Sequence, residues 1–281
     1  MTVATASAAL GWADFIDALE IYADPMICAA VAGTVLGSLG VFIVLRRMVF
    51  VPLAISHAAG FGVAFAFFAH IAWSATWLTP VASGFACGIA ATLLLSLRRL
   101  QVQREALVGL LYLLTAGAAV LLGSRIVQEA HQIDAILFGI AVAVSPRDLH
   151  ATVVVATLVL ATQAWLRRGL IAVSFDSDGA RVQGLPVRLL EAILMLCIGV
   201  TIAVTTRALG ALPVFALSVG PAFAALAFVN RLQRAMLLAA LLGALCGVSG
   251  YVAAFFWELP VGATQATLCG GLALLGLLRR R

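Results

Sequence analysis

Lysine is absent from this sequence: all 17 residues counted as lysine or arginine are arginine. A nucleotide-binding P-loop places a lysine on the phosphates, so this chain supplies none, and any ATP-dependent step belongs to another chain. Charge of either sign is scarce. Only 10% of the residues are Asp, Glu, Lys or Arg, where soluble domains carry about 25%. The HExxH pair of a zinc protease and the GxSxG elbow of a serine hydrolase are both missing, and with them two common hydrolytic chemistries. The chain is not expected to be an enzyme. No CxxC occurs. Cys28, Cys87, Cys197, Cys246 and Cys269 each sit inside an apolar run and read as small buried hydrophobes with no need of disulfides. No basic n-region precedes the first apolar run, so a cleaved signal peptide is not expected. Paired carboxylates deep in adjacent apolar runs are missing too, for Glu105 and Glu191 fall at run ends. Secondary transporters bury such acids near mid-membrane to carry the coupling ion. The driving energy is therefore expected to enter from a separate chain.

What is present is apolar. Hydrophobic residues make up 64% of the 281 positions, which predicts an all-α, polytopic transmembrane helical bundle forming a single domain. Runs of about 20 apolar residues place nine crossings near 26–45, 53–72, 78–97, 105–124, 148–166, 187–206, 208–229, 235–255 and 261–278. The segment 131–145 is too short to cross and reads as a re-entrant or interfacial helix. Charge asymmetry supports that count. With the N-terminus outside and the C-terminus inside, 14 arginines fall on the inner side and only Arg125, Arg147 and Arg207 on the outer side, a strong positive-inside bias. The net charge of +5 thus reads as membrane orientation and not as nucleic-acid binding. Acids collect outside, at Asp14, Asp17, Glu20, Asp24, Glu129, Asp134, Asp148 and Glu258. Trp12, Phe15, Ile16 and Leu19 recur at helical spacing and predict an amphipathic lead-in over 1–24 on the outer surface, with a flexible lead-in as the alternative.

Several features stand out against this background. Gly33 with Gly37, and Gly84 with Gly88, form GxxxG pairs that let helix backbones approach closely. Pro213, Gly220 and Pro221 fall in one span and predict a break or kink, which lines a pathway or is a structural bend. His57, beside Ser56 near the start of the second span, is costly in a membrane helix unless it faces a cavity or a partner. Imidazole is a common transition-metal ligand, so His57 is a candidate pathway residue and metal contact, a hydrogen-bonded structural histidine being the alternative. His131 and Asp134 lie one helical turn apart near Glu129, where they would contact a cation at the outer mouth or form a wet polar cap. The inner polar stretch 175–186 interrupts the oil. Phe175-Asp176-Ser177-Asp178 resembles a helix start, and Gly184 followed by Pro186 a helix stop. A short ordered helix presented to the cytosol suits docking of a soluble partner better than it suits a solvated loop.

With these segments in view, the chain resembles the membrane permease subunits of bacterial ABC importers for zinc, manganese and iron, from about residue 20 to the C-terminus. "GVFIVLRRMVFVPLAISHAAGFGVAFAF", "IDAILFGIAVAVSPRDL", "VSFDSDGARVQGLPVRLLE", "GALPVFALSVGPAFAAL" and "ELPVGAT" are similar to family segments in the same order. The third is similar to an FDxExAxxxG-type loop. The resemblance implies a fold related to the cobalamin and siderophore importers, in the bacterial inner membrane among its lipids. It implies that 175–186 is a coupling helix, with Phe175, Asp176, Asp178, Ala180 and Gly184 at the matching positions, docking on a cytoplasmic ABC ATPase dimer that binds the ATP. It also implies a second permease copy or related chain, and a periplasmic or lipid-anchored solute-binding protein. No cofactor would be resident in this chain, and a divalent metal would be cargo.

One position departs from the pattern. The family commonly has an aspartate four residues before the Ser-His histidine, where carboxylate and imidazole share a helix face. Here that position is Leu53. Loss of an oxygen ligand tilts the expectation from manganese towards zinc. It also motivates an alternative cargo, a metal chelate or small organic solute. A stand-alone secondary transporter is the third reading, disfavoured by the missing deep acids.

Overall fold

The computed structural model describes residues 12–75, 77–97, 104–125 and 144–279. Among these residues every regular element is an α-helix: α1 (Trp12–Leu45), α2 (Val51–Trp73), α3 (Pro80–Ser96), α4 (Arg104–Arg125), α5 (Pro146–Phe175), α6 (Ser177–Val182), α7 (Val187–Leu209), α8 (Ala211–Phe228), α9 (Leu232–Trp257) and α10 (Val261–Arg279). Eight are long and apolar enough to cross a membrane, and α3 is a ninth apolar helix of 17 residues, at the short end of the spanning range of about 17–25. These nine coincide with the nine expected crossings. The expected re-entrant segment 131–145, with Glu129, His131 and Asp134, lies outside the described residues apart from Val144 and Ser145.

Helix directions follow from which residues meet. Cys28 meets Thr152 and Ser38 meets Gln163, at sequence offsets of 124 and 125, so α1 and α5 run parallel. Gly33 abuts Gly243, Gly37 abuts Ala239, and Gly247 abuts Ala29, so α1 and α9 run antiparallel. Gly88 meets Ala203 while Gly199 meets Thr92, which makes α3 antiparallel to α7. This alternation collects Arg46, Arg47, Arg181, Arg188, Arg231, Arg234 and Arg279 at one end of the bundle. Asp148 and Arg207 pair at the other end, 3.3 Å apart.

The core is built around α1 and α2, with α8 against them. A Cβ at Gly33, Gly37 or Gly40 would run into the backbone of α9 or α8, so glycine sets how closely these helices approach. Without a hydrophobic drive between helices in lipid, such contact is the main source of cohesion. Gly62 and Gly84 do the same between α2 and α3. In contrast α4 keeps only a narrow buried stripe, including Val108 and Ala119, while Leu110, Leu113, Leu114, Val120 and Leu121 are exposed.

Two expectations change. The described part of the lead-in is not a separate surface helix. Residues 12–24 continue through Pro25 into α1, a single helix of 34 residues, about 51 Å long at about 1.5 Å per residue. Phe15 packs on Phe255 and Phe256 at the end of α9, with ring centroids 5.2 and 5.8 Å away, and this holds the extension in line. In addition, α8 runs uninterrupted through Gly220 and Pro221. The chain breaks one step earlier, at Gly210, whose φ of 98° is favourable only for glycine.

Candidate functional sites

The first site stands on the arginine-rich end. Helix α5 does not stop at Arg167 and Arg168 but continues to Phe175, carrying the chain beyond the bundle before α6 turns it back. Asp176 makes that turn. Its backbone is extended (φ −145°, ψ 95°), and its Oδ1 accepts from the N–H groups of Asp178 at 3.1 Å and Gly179 at 2.9 Å. Two of the free donors at a helix start are thereby satisfied. A Cβ at Gly179 would meet the Asp176 carboxylate, so glycine makes room for its own cap. Gly184, at φ 78°, ends the helix, and the Leu185 N–H donates to the Ala180 carbonyl at 3.1 Å.

The expected coupling residues therefore separate by what they touch. Asp176, Ala180 and Gly184 build the turn, and Ala180 is buried beneath it. Phe175 projects into solvent, and so does Val182, which is 89% exposed. Asp178 is exposed and pairs with Arg181 at 3.3 Å. Beside α6 an open groove of about 420 Å³ is lined by Arg181, Pro186, Val187, Arg188 and Leu189. Val182 was missed in the sequence, where its only signal is an isolated apolar residue in a polar run. The return helix α7 is tied to the core at its first turns, where the Arg46 guanidinium donates to the Glu191 carboxylate at 2.5 Å. Both side chains are largely shielded.

The second site lies within the bundle. His57 on α2 is half-buried, and its Nδ1 is buried with no hydrogen-bond partner. Its ring meets Tyr112 of α4 edge to face, with centroids 4.8 Å apart and planes at 88°. Ser56 points elsewhere. It is fully buried, and its hydroxyl donates to the Leu53 carbonyl of its own helix at 2.9 Å. Tyr112 also lines a cavity of about 690 Å³ that reaches the arginine-rich end, with Arg47, Leu53, Glu105, Val108, Gly109 and Phe223 among its walls. Tyr112 was not singled out from sequence, and Glu105 was read only as an acid at a run end, because α2 and α4 are about fifty residues apart and nothing local announces their contact.

Pro213, Gly220 and Pro221 do not join this site. All three are buried, with Gly220 against the Cys269 backbone of α10. Among the described residues no three His, Cys, Asp or Glu side chains gather as a metal-holding group. Among the described residues His57 belongs to no such group, and Leu53 stands one turn away where a carboxylate would have added a second ligand.

Comparison with known proteins agrees with this architecture. The model of the ABC 3 transport family matches residues 18–280. The manganese import system permease protein ScaB of Streptococcus pneumoniae is 29% identical over 253 residues, covering 89% of this chain and 88% of that one. The chelated iron transport system membrane protein YfeD of Yersinia pestis is 27% identical over 230 residues, covering 82% and 75%. Among solved structures, a chain of PsaBC from Streptococcus pneumoniae in complex with Fab superposes with a TM-score of 0.79 at 24% identity, covering 94% of this chain and 95% of that one. The shared fold, and a family match that spans nearly the whole sequence, lead to one conclusion: this chain is a multi-pass membrane protein of the ABC 3 transport family.

Proposed function

We propose that this chain is the transmembrane subunit of an ATP-driven importer for a divalent transition metal. Its arginine-rich end faces the cytosol, where α6 docks on a separate ATPase dimer. A second permease chain completes the pathway, and a solute-binding protein delivers cargo at the other end. The observation that carries this reading is α6 itself. A six-residue helix, marginal in isolation, is capped by Asp176, closed by Gly184, and held out from the bundle with Phe175 and Val182 exposed. The positive-inside bias supports the orientation.

The cargo follows from chemistry and kinship together. The named relatives carry manganese and chelated iron, which supports a metal and makes manganese the first to assay. Leu53 removes an oxygen ligand and favours a nitrogen-preferring ion such as zinc. Manganese, zinc and iron(II) are therefore tested side by side. The permease is reconstituted in vesicles with its ATPase and binding protein, and metal uptake is measured per ATP hydrolysed. ATP-dependent uptake of at least one free metal is expected. Uptake seen only with a chelate would favour the second reading, which Leu53 also motivates. Uptake driven by a proton or sodium gradient without the ATPase would refute both.

A further inference from the structure

Within the bundle His57 and the cavity are neighbours, joined through the ring of Tyr112. Tyr112 lines the cavity, His57 does not, and the two rings are in contact. The tyrosine ring is thus the partition between a nitrogen able to ligate a cation and the space that leads to the arginine-rich end. Helix α4 continues this line. Glu105, Gly109 and Tyr112 fall at i, i+4 and i+7, one face of a helix, and all three border the cavity. A Cβ at Gly109 would meet no atom within 4 Å, so the space one turn below the tyrosine is open. Glu105 lies one turn further, an exposed carboxylate at the rim whose oxygens suit a hard divalent cation such as manganese.

We propose that Tyr112 is the shutter of the inner half of the pathway. Its ring closes His57 off from the cavity, and it opens by swinging into the space beside Gly109. A cation held in passing by His57 then descends along α4 towards Glu105. This rests on the reading of the chain as a metal-importer permease. Tyr112 acts as a positioning residue: it decides when His57 and the cavity connect, and contributes no ligand of its own. The burial pattern suits a moving part, because α4 is the most exposed of the long helices and packs on α2 through a single stripe.

The test uses the assembled importer in vesicles that enclose a manganese-quenched dye. Manganese entry is followed with and without ATP. Tyr112→Ala is expected to raise the ATP-independent leak about tenfold, the scale of one lost edge-to-face ring contact, and to lower the metal carried per ATP. Tyr112→Phe keeps the ring and is expected to match wild type in both. Gly109→Leu fills the space the ring needs and is expected to cut ATP-driven uptake about tenfold. Folding is spared, since leucine is the better helix former. The double variant, in which no ring is left to trap, is expected to conduct again. A tight, fully active Tyr112→Ala protein would overturn the proposal. So would a Gly109→Leu protein with normal uptake, or a double variant as blocked as Gly109→Leu alone, which would mean that leucine merely obstructs the path. Wild-type vesicles that take up no manganese, zinc or iron(II) would instead defeat the metal-importer reading, and the shutter with it.

Discussion

Asp176 offers a sharp test of how α6 works. Its carboxylate is engaged by the N–H groups of Asp178 and Gly179, so its role in this structure is to hold a helix and not to reach a partner. Substituting an N-cap aspartate by alanine costs about 1 kcal/mol, with a range of about 0.5–2. Helix α6 has six residues and nothing to spare, so the loss falls directly on the population of the formed turn, about fivefold at the central value. Asn caps as well as Asp. Asp176→Asn is therefore expected to retain near-normal metal-stimulated ATP turnover and uptake, and Asp176→Ala to lose roughly fivefold in both. The assay is the vesicle system above, with insertion checked by detergent-solubilised yield. If Asp176 instead contacts the ATPase through its charge, Asn fails as badly as Ala. That outcome, or an alanine variant at wild-type rates, refutes the capping argument.

Further consequences can be checked with the same material. Val182→Asp places a charge on the most exposed apolar side chain of α6 without touching its cap. It is expected to weaken binding of the ATPase in pull-down while leaving helix content and insertion unchanged. His57→Ala is expected to reduce metal uptake with only a small drop in melting temperature, since it gives up the ring contact with Tyr112 but no hydrogen bond at Nδ1; unchanged uptake would make the histidine structural. Gly33→Leu would drive a side chain into the Gly243 backbone. Because overpacking costs about 1–3 kcal/mol even where side chains give way, this variant is expected to show a clear drop in melting temperature. Glu191→Ala strips the Arg46 guanidinium of a charged partner, a contact worth about 1.5–3 kcal/mol, and is expected to uncouple ATP turnover from uptake before it unfolds the protein.

Much of the fold was legible because lipid imposes so few solutions. Length and apolarity located the nine helices, and arginine placement gave the two ends. The misreadings have a common cause. Pro213, Gly220 and Pro221 were taken as a break or kink in the seventh crossing, yet α8 continues as one helix through Pro221 and the chain turns at Gly210. Proline removes one donor and tolerates a buried helix whose neighbours pack closely, whereas the left-handed backbone at Gly210 needs a residue without a Cβ. Amphipathic spacing in 12–24 was taken for a surface helix, because sequence shows which face is oily and not what covers it. Phe255 and Phe256 cover part of it. The turn around α6 was legible from its local signals, a cap, a small residue and a stop. The neighbourhood of His57 was not, since its partner Tyr112 belongs to another helix and no local pattern links them.

These contacts also say which parts of the chain move together. Helices α5, α6 and α7 form one continuous hairpin whose two long arms are joined at the far end by Arg207 and Asp148. At the near end α7 is bound to α1 by Arg46 and Glu191, and α1 is locked against α9 and α8 by glycine contacts that leave no room for sliding. A push on α6 therefore meets a rigid body, because close-packed interiors transmit strain and do not absorb it. Helix α4 is outside that body. Its buried stripe meets α2 where Ala119 lies near Ala64, with Phe61, Phe67, Phe68 and Leu122 packed on that pair, and where Tyr112 meets His57. The least buried of the long helices is thus the one that carries the ring beside the only half-buried histidine among the described residues.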